Sequence, residues 1–255
     1  MKKRWVFSVT VLIVSFALGY KAYGATGSST FPIPKVQLNV DGASNPTDYV
    51  DSIKLLLLLT VLTLLPSILM MVTSYTRIIV VLSFVRSALS TQQVPPNQVI
   101  IGLALSLTVF IMSPVYIKVN SDAIQPYLNN RITQQEAYQA ASKPVKEFML
   151  KQTYKKDIEL FTDAAKIGKI DKPEDTPFRV LIPSFIISEL KTAFIMGFLI
   201  YIPFIVIDMV VASILMSMGM FMLPPVAISL PFKVLLFVMV DGWNLVVKTL
   251  INSFA

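Results

Sequence analysis

The 255-residue sequence contains no cysteine and no histidine. Their absence excludes disulfides, thiolate or imidazole metal sites, and catalysis by a cysteine or a histidine. Charged residues are also scarce, at 15% against about 25% in an ordinary soluble protein. With 55% hydrophobic residues and a mean hydropathy of +0.68, the composition is typical of a membrane protein with several spans and no enzymatic chemistry.

Acidic residues are absent from the first 24 positions, which hold four basic residues: Lys2, Lys3, Arg4 and Lys21. Removing these four charges from the net charge of +7 leaves +3, which gives no reason to expect nucleic-acid binding.

The same segment, residues 1–24, has the three parts of a secretory signal peptide. After the basic start come an apolar run over residues 5–18 and two small residues, Ala22 and Gly24, at the spacing of a cleavage site. The alternative is an uncleaved first anchor, although the apolar run is short for a bilayer core of about 30 Å. Cleavage would leave the new amino terminus outside the cytoplasm.

Residues 25–52 are polar and rich in proline, which predicts a loosely ordered external tail. Residues 53–117 are predicted to form a first hydrophobic helical hairpin, with one span ending near Thr76 and a second over residues 99–117. Arg77 and Arg86 lie in the short connection without a nearby acid, so they are interpreted as determinants of topology on the cytoplasmic side.

Residues 118–182 hold 11 Lys or Arg and 9 Asp or Glu, and they form the one segment that reads as soluble. They predict a helical insert, which the count from the signal peptide places outside the cytoplasm, in the periplasm. Thr133 and Glu136 have capping-box spacing and predict a helix start. Ser142, two residues before Pro144, predicts a second start.

Residues 183–255 predict a second hydrophobic hairpin that carries a methionine-rich loop and several charges in apolar surroundings. A charge at the centre of a bilayer costs about 2.5–3.5 kcal/mol even on insertion scales, so these charges are expected to be buried and paired. Glu189 and Lys233 are the predicted pair. Competing partners are the other charges expected to be buried: Lys191, Asp208 and Asp241. The alternative is that Glu189 and Lys191 mark a water interface.

Several long strings resemble the FliP/SctR family of type III secretion export-gate proteins. They are TSYTRIIVVLSF at 73–84, QQVPPNQV at 92–99, SELKTAFIMGF at 188–198, PFK at 231–233 and DGW at 241–243. Two residues depart from the family pattern: Ile195 replaces an expected polar residue, and Phe221 interrupts a methionine run.

This resemblance implies an all-α membrane protein whose two hairpins assemble into a helical ring of several copies, five in the family. It implies FliQ and FliR as partners, FlhA and FlhB nearby, and unfolded flagellar proteins as cargo. It also implies a place in the bacterial inner membrane, at the flagellar basal body, without enzymatic activity or a cofactor.

The string MSMGMFMLPP at 216–225 places four methionines within seven residues, between a glycine and a proline pair. Methionine is unbranched and adapts to irregular shapes, and a hydrophobic constriction can exclude water and ions. Given the place of this loop in the family, Met220, Phe221 and Met222 are predicted to form a pore gasket. Without the resemblance, such a segment would be interpreted as ordinary core or as a lipid contact.

A second function is an ion-coupled secondary transporter in which Asp208, Glu189 and Lys233 relay protons. The hydropathy pattern does not divide into two similar halves, and the single soluble insert makes the sequence asymmetric. Both features disfavour a transporter. An intramembrane hydrolase is rejected because histidine, cysteine and a GxSxG motif are all missing.

Overall fold

The computed structural model describes residues 46–91, 94–168, 170 and 172–254. The predicted signal peptide at 1–24 and most of the predicted tail lie outside the described residues. Within the described ranges every regular element is helical, which confirms the predicted all-α membrane fold. The helices are α1 (Pro46–Met71), α2 (Tyr75–Ala88), α3 (Asn97–Val119), α4 (Gln125–Leu128), α5 (Gln134–Gln152), α6 (Lys155–Ala164), α7 (Phe178–Ser217), α8 (Pro225–Met239) and α9 (Gly242–Asn252).

Three helical segments of the described chain are long and apolar enough to cross a membrane: Ile53–Met71, Asn97–Leu128 and Phe178–Ser217. The pair α8 and α9, bent by 63°, would supply a fourth span if both helices cross together. Helix α7 has 40 residues and is therefore about 60 Å long, twice the thickness of a bilayer core. It must extend beyond the apolar layer on at least one side.

Helix α2 lies at the centre of the main core. Its side chains Ile78, Val81, Leu82 and Val85 are buried, because apolar residues at this spacing cover a wide face of a helix. They pack with buried residues of α3, α7, α8 and α9. The short helix α2 thus holds together the long hydrophobic elements.

Helices α2 and α7 run parallel to each other. Arg77, in the first turn of α2, contacts Glu189, and Phe84, two turns later, lies against Gly197. Later residues of α2 thus meet later residues of α7. The absence of a side chain at Gly197 lets the two helices approach closely.

The soluble insert contains α5 and α6 and packs on the first turns of α7. Thr133 and Glu136 form the predicted capping box at the start of α5, which confirms that helix start. The second start predicted at Ser142 is wrong, since α5 continues through Pro144 to Gln152. One proline removes a single backbone hydrogen bond, and packing of the buried Met149 against α7 residues maintains the helix.

The close approach at Gly197 generates a test with a matched control. A methyl group at Gly197 would lie 2.5 Å from ring atoms of Phe84, whereas a methyl group at Gly102 would meet nothing within 4 Å. We expect Gly197→Ala to destabilise the protein by about 1–3 kcal/mol through overpacking. Gly102→Ala should be neutral or stabilising by up to about 1 kcal/mol, because alanine favours helix. Thermal unfolding in detergent measures both, and equal melting temperatures for the two variants would contradict this packing.

The capping box predicts a dependence on pH. Hydrogen bonds from the Thr133 backbone N–H, then from its hydroxyl, hold the pKa of Glu136 below its ordinary value of 4.5. A carboxylate with a lowered pKa in the folded state stabilises the cap above that ordinary value and ceases to do so as pH falls. Hydrogen exchange in the first turn of α5 should therefore be slower in the wild type than in Glu136→Ala at neutral pH. The difference should shrink below pH 4.5. A difference that persists unchanged at low pH would show that the ionised Glu136 carboxylate does not stabilise the cap.

Candidate functional site: a methionine loop and two buried ion pairs

The connection between α7 and α8 is a tight turn with defined hydrogen bonds. Gly219 adopts a left-handed conformation, with φ of +78°, one residue after the helix cap. Its N–H donates to the Met216 carbonyl, and the Met220 N–H donates to the Leu215 carbonyl, each at 3.0 Å. These two bonds are those of a Schellman motif, which favours glycine at the left-handed position. Pro225 then begins α8. The backbone of the loop is thereby fixed at both ends.

The side chains of this loop are exposed, and the exposure increases along the loop. Met220 is 42% exposed, Phe221 78% and Met222 98%. Three large apolar side chains in succession at a hairpin tip do not belong to the core of the single chain. Their position leaves them free to contact other copies, lipid or a lumen.

Arg77 and Glu189 form a buried ion pair. The Arg77 Nε donates to one carboxylate oxygen of Glu189 at 2.9 Å, and Nη2 donates to the other oxygen. This bidentate arrangement matches the planar guanidinium to the carboxylate. Both side chains are buried, so each charge depends on the other for compensation.

The Arg77 guanidinium also reaches two further parts of the chain. Nη2 donates to Gln152 Oε1 at 3.0 Å, at the end of α5. Nη1 donates to the Ser253 carbonyl at 2.8 Å and to the Ser253 hydroxyl at 3.0 Å, and the guanidinium lies 3.9 Å from the centre of the Phe254 ring. One side chain therefore joins α2, α7, the insert and the segment after α9.

The interpretation of Arg77 as a topology determinant is wrong, because the structure buries it at the junction of four segments. Its ionic partner is 112 residues away in the sequence. The signal that could have revealed it was the uncharged sequence on both sides of Arg77, over residues 55–76 and 78–85, which is long for a water-exposed connection.

Lys233 and Asp208 form the second ion pair. The Lys233 Nζ lies 2.6 Å from Asp208 Oδ2 and 2.6 Å from the Ser90 hydroxyl oxygen. The other Asp208 oxygen accepts a hydrogen bond from the Ser229 hydroxyl, one turn before Lys233 on α8. Lys233 is buried and Asp208 is a quarter exposed. The pair fastens α8 to α7, and Ser90 adds the end of α2.

The predicted pair between Glu189 and Lys233 is wrong within the chain, because Arg77 and Asp208 are their respective partners. Glu189 and Asp208 are 19 positions apart on one helix, or about 28 Å. Burial is also contradicted for Lys191 and Asp241, both exposed in the single chain. Lys191 lies 4.7 Å from the centre of the Tyr154 ring. Asp241 occupies the left-handed position between α8 and α9.

The described part of the chain holds no group of three or more carboxylates placed to bind a metal ion. The site comprises an exposed apolar loop, the Lys233–Asp208 pair that fastens the hairpin carrying the loop, and the Arg77–Glu189 pair about 28 Å further along α7. The two carboxylates of the site, Glu189 and Asp208, each have a cationic partner within the same chain.

Double-mutant cycles test the two pairings. Arg77→Met or Glu189→Leu alone leaves a buried charge without a partner and should cost about 3–5 kcal/mol, whereas the double variant should cost clearly less than the sum. Glu189→Leu combined with Lys233→Met should be additive, since these residues belong to separate pairs. Thermal unfolding of the purified protein supplies the free energies. Coupling between Glu189 and Lys233, with none between Arg77 and Glu189, would overturn the assignment.

Comparison with known proteins places the chain in a family. The model of the FliP family matches residues 58–250. The flagellar biosynthetic protein FliP of Bacillus subtilis (strain 168) is 56% identical over 217 residues, covering 85% of this chain and 98% of that protein.

Similar relatives come from distant bacteria. FliP of Aquifex aeolicus (strain VF5) is 53% identical over 224 residues, covering 87% of this chain and 92% of that protein. FliP of Treponema pallidum (strain Nichols) is 47% identical over 224 residues, covering 87% of this chain and 83% of that protein. The range matched by the family model covers the positions of both ion pairs and of the methionine loop. The chain belongs to the FliP family of flagellar biosynthetic proteins, which are non-enzymatic membrane components of the flagellar export apparatus.

Proposed function

We propose that this chain is a core structural and channel-forming subunit of the flagellar type III protein export gate. In this proposal several copies, five in the expected ring, surround a passage through which unfolded flagellar subunits cross the inner membrane. Met220, Phe221 and Met222 close the passage when it is idle. FliQ and FliR are the proposed ring partners, with FlhA and FlhB nearby.

The observation that carries the proposal is the exposure of the methionine loop on a fixed backbone. An apolar tip of this size would be costly in water, because each fully exposed methionine or phenylalanine forgoes about 1.5–3 kcal/mol of burial. The loop is nevertheless held outward by the Schellman motif at Gly219. A ring of such tips would bury them against one another at its centre.

The side chains of the loop suit a seal that must open for varied cargo. Methionine has three rotatable bonds and a polarisable thioether, so it can fit against different shapes and still close. An apolar constriction excludes ions by dewetting, without a charged group that would bind them. Phe221 adds bulk between the two methionines.

The exposed apolar surfaces of the chain support assembly in a membrane. From Leu56 to Leu69 the apolar side chains of α1 are exposed, and α7 exposes another row that includes Phe194, Phe198 and Val206. Patches of this extent need lipid or partner chains to cover them. We place the chain in the inner membrane at the flagellar basal body, with the insert in the periplasm.

The alternative function, an ion-coupled transporter, receives less support from the geometry. A proton relay needs titratable groups within reach of one another, but Glu189 is enclosed with Arg77, about 28 Å along α7 from Asp208. Stoichiometry separates the two functions. A large oligomer that copurifies with small membrane partners supports the gate, whereas a monomer or dimer that moves a solute alone supports the transporter.

The gasket is tested by shortening its three side chains together. We expect Met220→Ala/Phe221→Ala/Met222→Ala to assemble in near-normal yield, because these residues contribute little to the core of the chain. The idle complex should then pass ions or small dyes, and secretion should fall or lose control. Conductance across a bilayer, measured beside complex yield, gives the result.

Met239→Ala is the matched control, since Met239 is also largely exposed but lies at the far end of α8. It should leave the idle conductance at the wild-type level. If the triple variant fails to assemble and the surviving complexes do not leak, the three residues are packing residues and the gasket is refuted. An equal leak from Met239→Ala would show that the effect is not specific to the loop.

A further inference from the structure

Ser90 has a backbone conformation that is unusual for its residue type. Its φ of 58° lies in the left-handed region, at the position directly after the helix cap of α2. The Ser90 N–H donates to the Ser87 carbonyl at 3.0 Å, as at the end of many helices. Glycine or asparagine normally occupies this position, because a side chain there crowds the backbone. A serine at such a position points to a use for its hydroxyl.

The Ser90 hydroxyl has a buried cation as its partner. It accepts a hydrogen bond of 2.6 Å from the Lys233 ammonium, which also contacts Asp208. Lys233 is 1% exposed, so its ammonium depends on acceptors within the protein. A buried ammonium with a missing partner is costly, so the Ser90 oxygen is a substantial part of this site.

The same network fixes the hairpin that carries the methionine loop. The Asp208 carboxylate on α7 binds two residues of α8 that lie one turn apart: it accepts a hydrogen bond from Ser229 and pairs with Lys233. Asp208 lies nine residues before the end of α7 and Lys233 eight residues after the start of α8, which places the network about 12–14 Å from the hairpin tip. The hydrogen bond to Ser90 connects this hairpin to α2.

The turn around Ser90 is stabilised by hydrogen bonds from neighbouring side chains, so it can anchor the hairpin. The Thr91 hydroxyl donates to the Arg86 carbonyl at 3.3 Å and to the Val94 carbonyl. Arg86 donates to the Asn97 side chain at the start of α3. Because α2 is the buried centre of the core, a contact with its end holds the hairpin against that core.

We propose that Ser90 is a positioning residue of the gate, whose hydroxyl binds Lys233 and thereby holds the α7–α8 hairpin and its methionine loop against the end of α2. The inference rests on the proposed function of the loop for its effect on export. The effect of the Ser90–Lys233 hydrogen bond on the hairpin does not depend on that function and is tested separately.

Two substitutions at Ser90 separate the hydroxyl from the backbone. Ser90→Gly favours the left-handed conformation but removes the acceptor, whereas Ser90→Asn tolerates that conformation and retains a side-chain oxygen. If the backbone alone matters, Ser90→Gly should equal or exceed the wild type. If the acceptor matters, Ser90→Gly should be impaired and Ser90→Asn should remain close to the wild type.

The first readout is the mobility of the loop in the purified complex. The chain has no cysteine, so Met222→Cys provides a unique attachment point for a nitroxide label. We expect the label to become more mobile in Ser90→Gly, with a rotational correlation time shortened severalfold, and to remain at the wild-type value in Ser90→Asn. Unchanged mobility in Ser90→Gly, or equal mobility in both variants, would overturn the proposal.

The second readout is the idle conductance of complexes that retain Met222. Ser90→Gly should leak severalfold more than the wild type, and Ser90→Asn should not. If Ser90→Gly makes the loop more mobile without a leak, the Ser90–Lys233 hydrogen bond positions the hairpin as proposed, but the gate function of the loop is refuted. A leak from the triple alanine variant without any effect of Ser90→Gly would uphold the gate and refute the role of Ser90.

Discussion

The fold depends on the compensation of one buried cation, the Arg77 guanidinium. A charge in this position would be prohibitive alone, but it is bound by Glu189, Gln152 and Ser253 and stacked on Phe254. Because each partner belongs to a different segment, the charge can be satisfied only when all of them are in place. The ion pair therefore favours a single arrangement of helices that apolar packing alone would define less sharply.

The second ion pair repeats this logic at the other end of α2. Arg77 lies at the first turn of α2, beside the soluble insert, and Ser90 lies just beyond its last turn, beside the hairpin that carries the methionine loop. Helices α2 and α7 are thus joined directly by Arg77 and Glu189 at one end of α2, and through Lys233 of α8 at the other end, with apolar packing between. The methionine loop projects from the hairpin that the second network fastens.

The sequence was sufficient for features that depend on local chemistry. The apolar runs predicted helical spans, the Thr133–Glu136 spacing predicted the start of α5, and the cluster at 216–225 predicted a distinct loop. Pairing of charges was not predictable in this way, since Arg77 and Glu189 are far apart in the sequence and several cations competed for Glu189. Ser142 also misled, because continued packing around Met149 overrides a possible helix start.

In the proposed gate, the methionine loops of neighbouring copies meet around one passage. Site-specific cross-linking tests this directly, because a cysteine introduced as Met222→Cys would be the sole thiol of the chain. In the intact, idle complex, a short bifunctional reagent should join copies of the chain to one another through position 222. The opposite result is a complex of full size that yields no such cross-links while its cysteines react readily with lipid-soluble reagents. That result would contradict a meeting of the methionine loops around one passage.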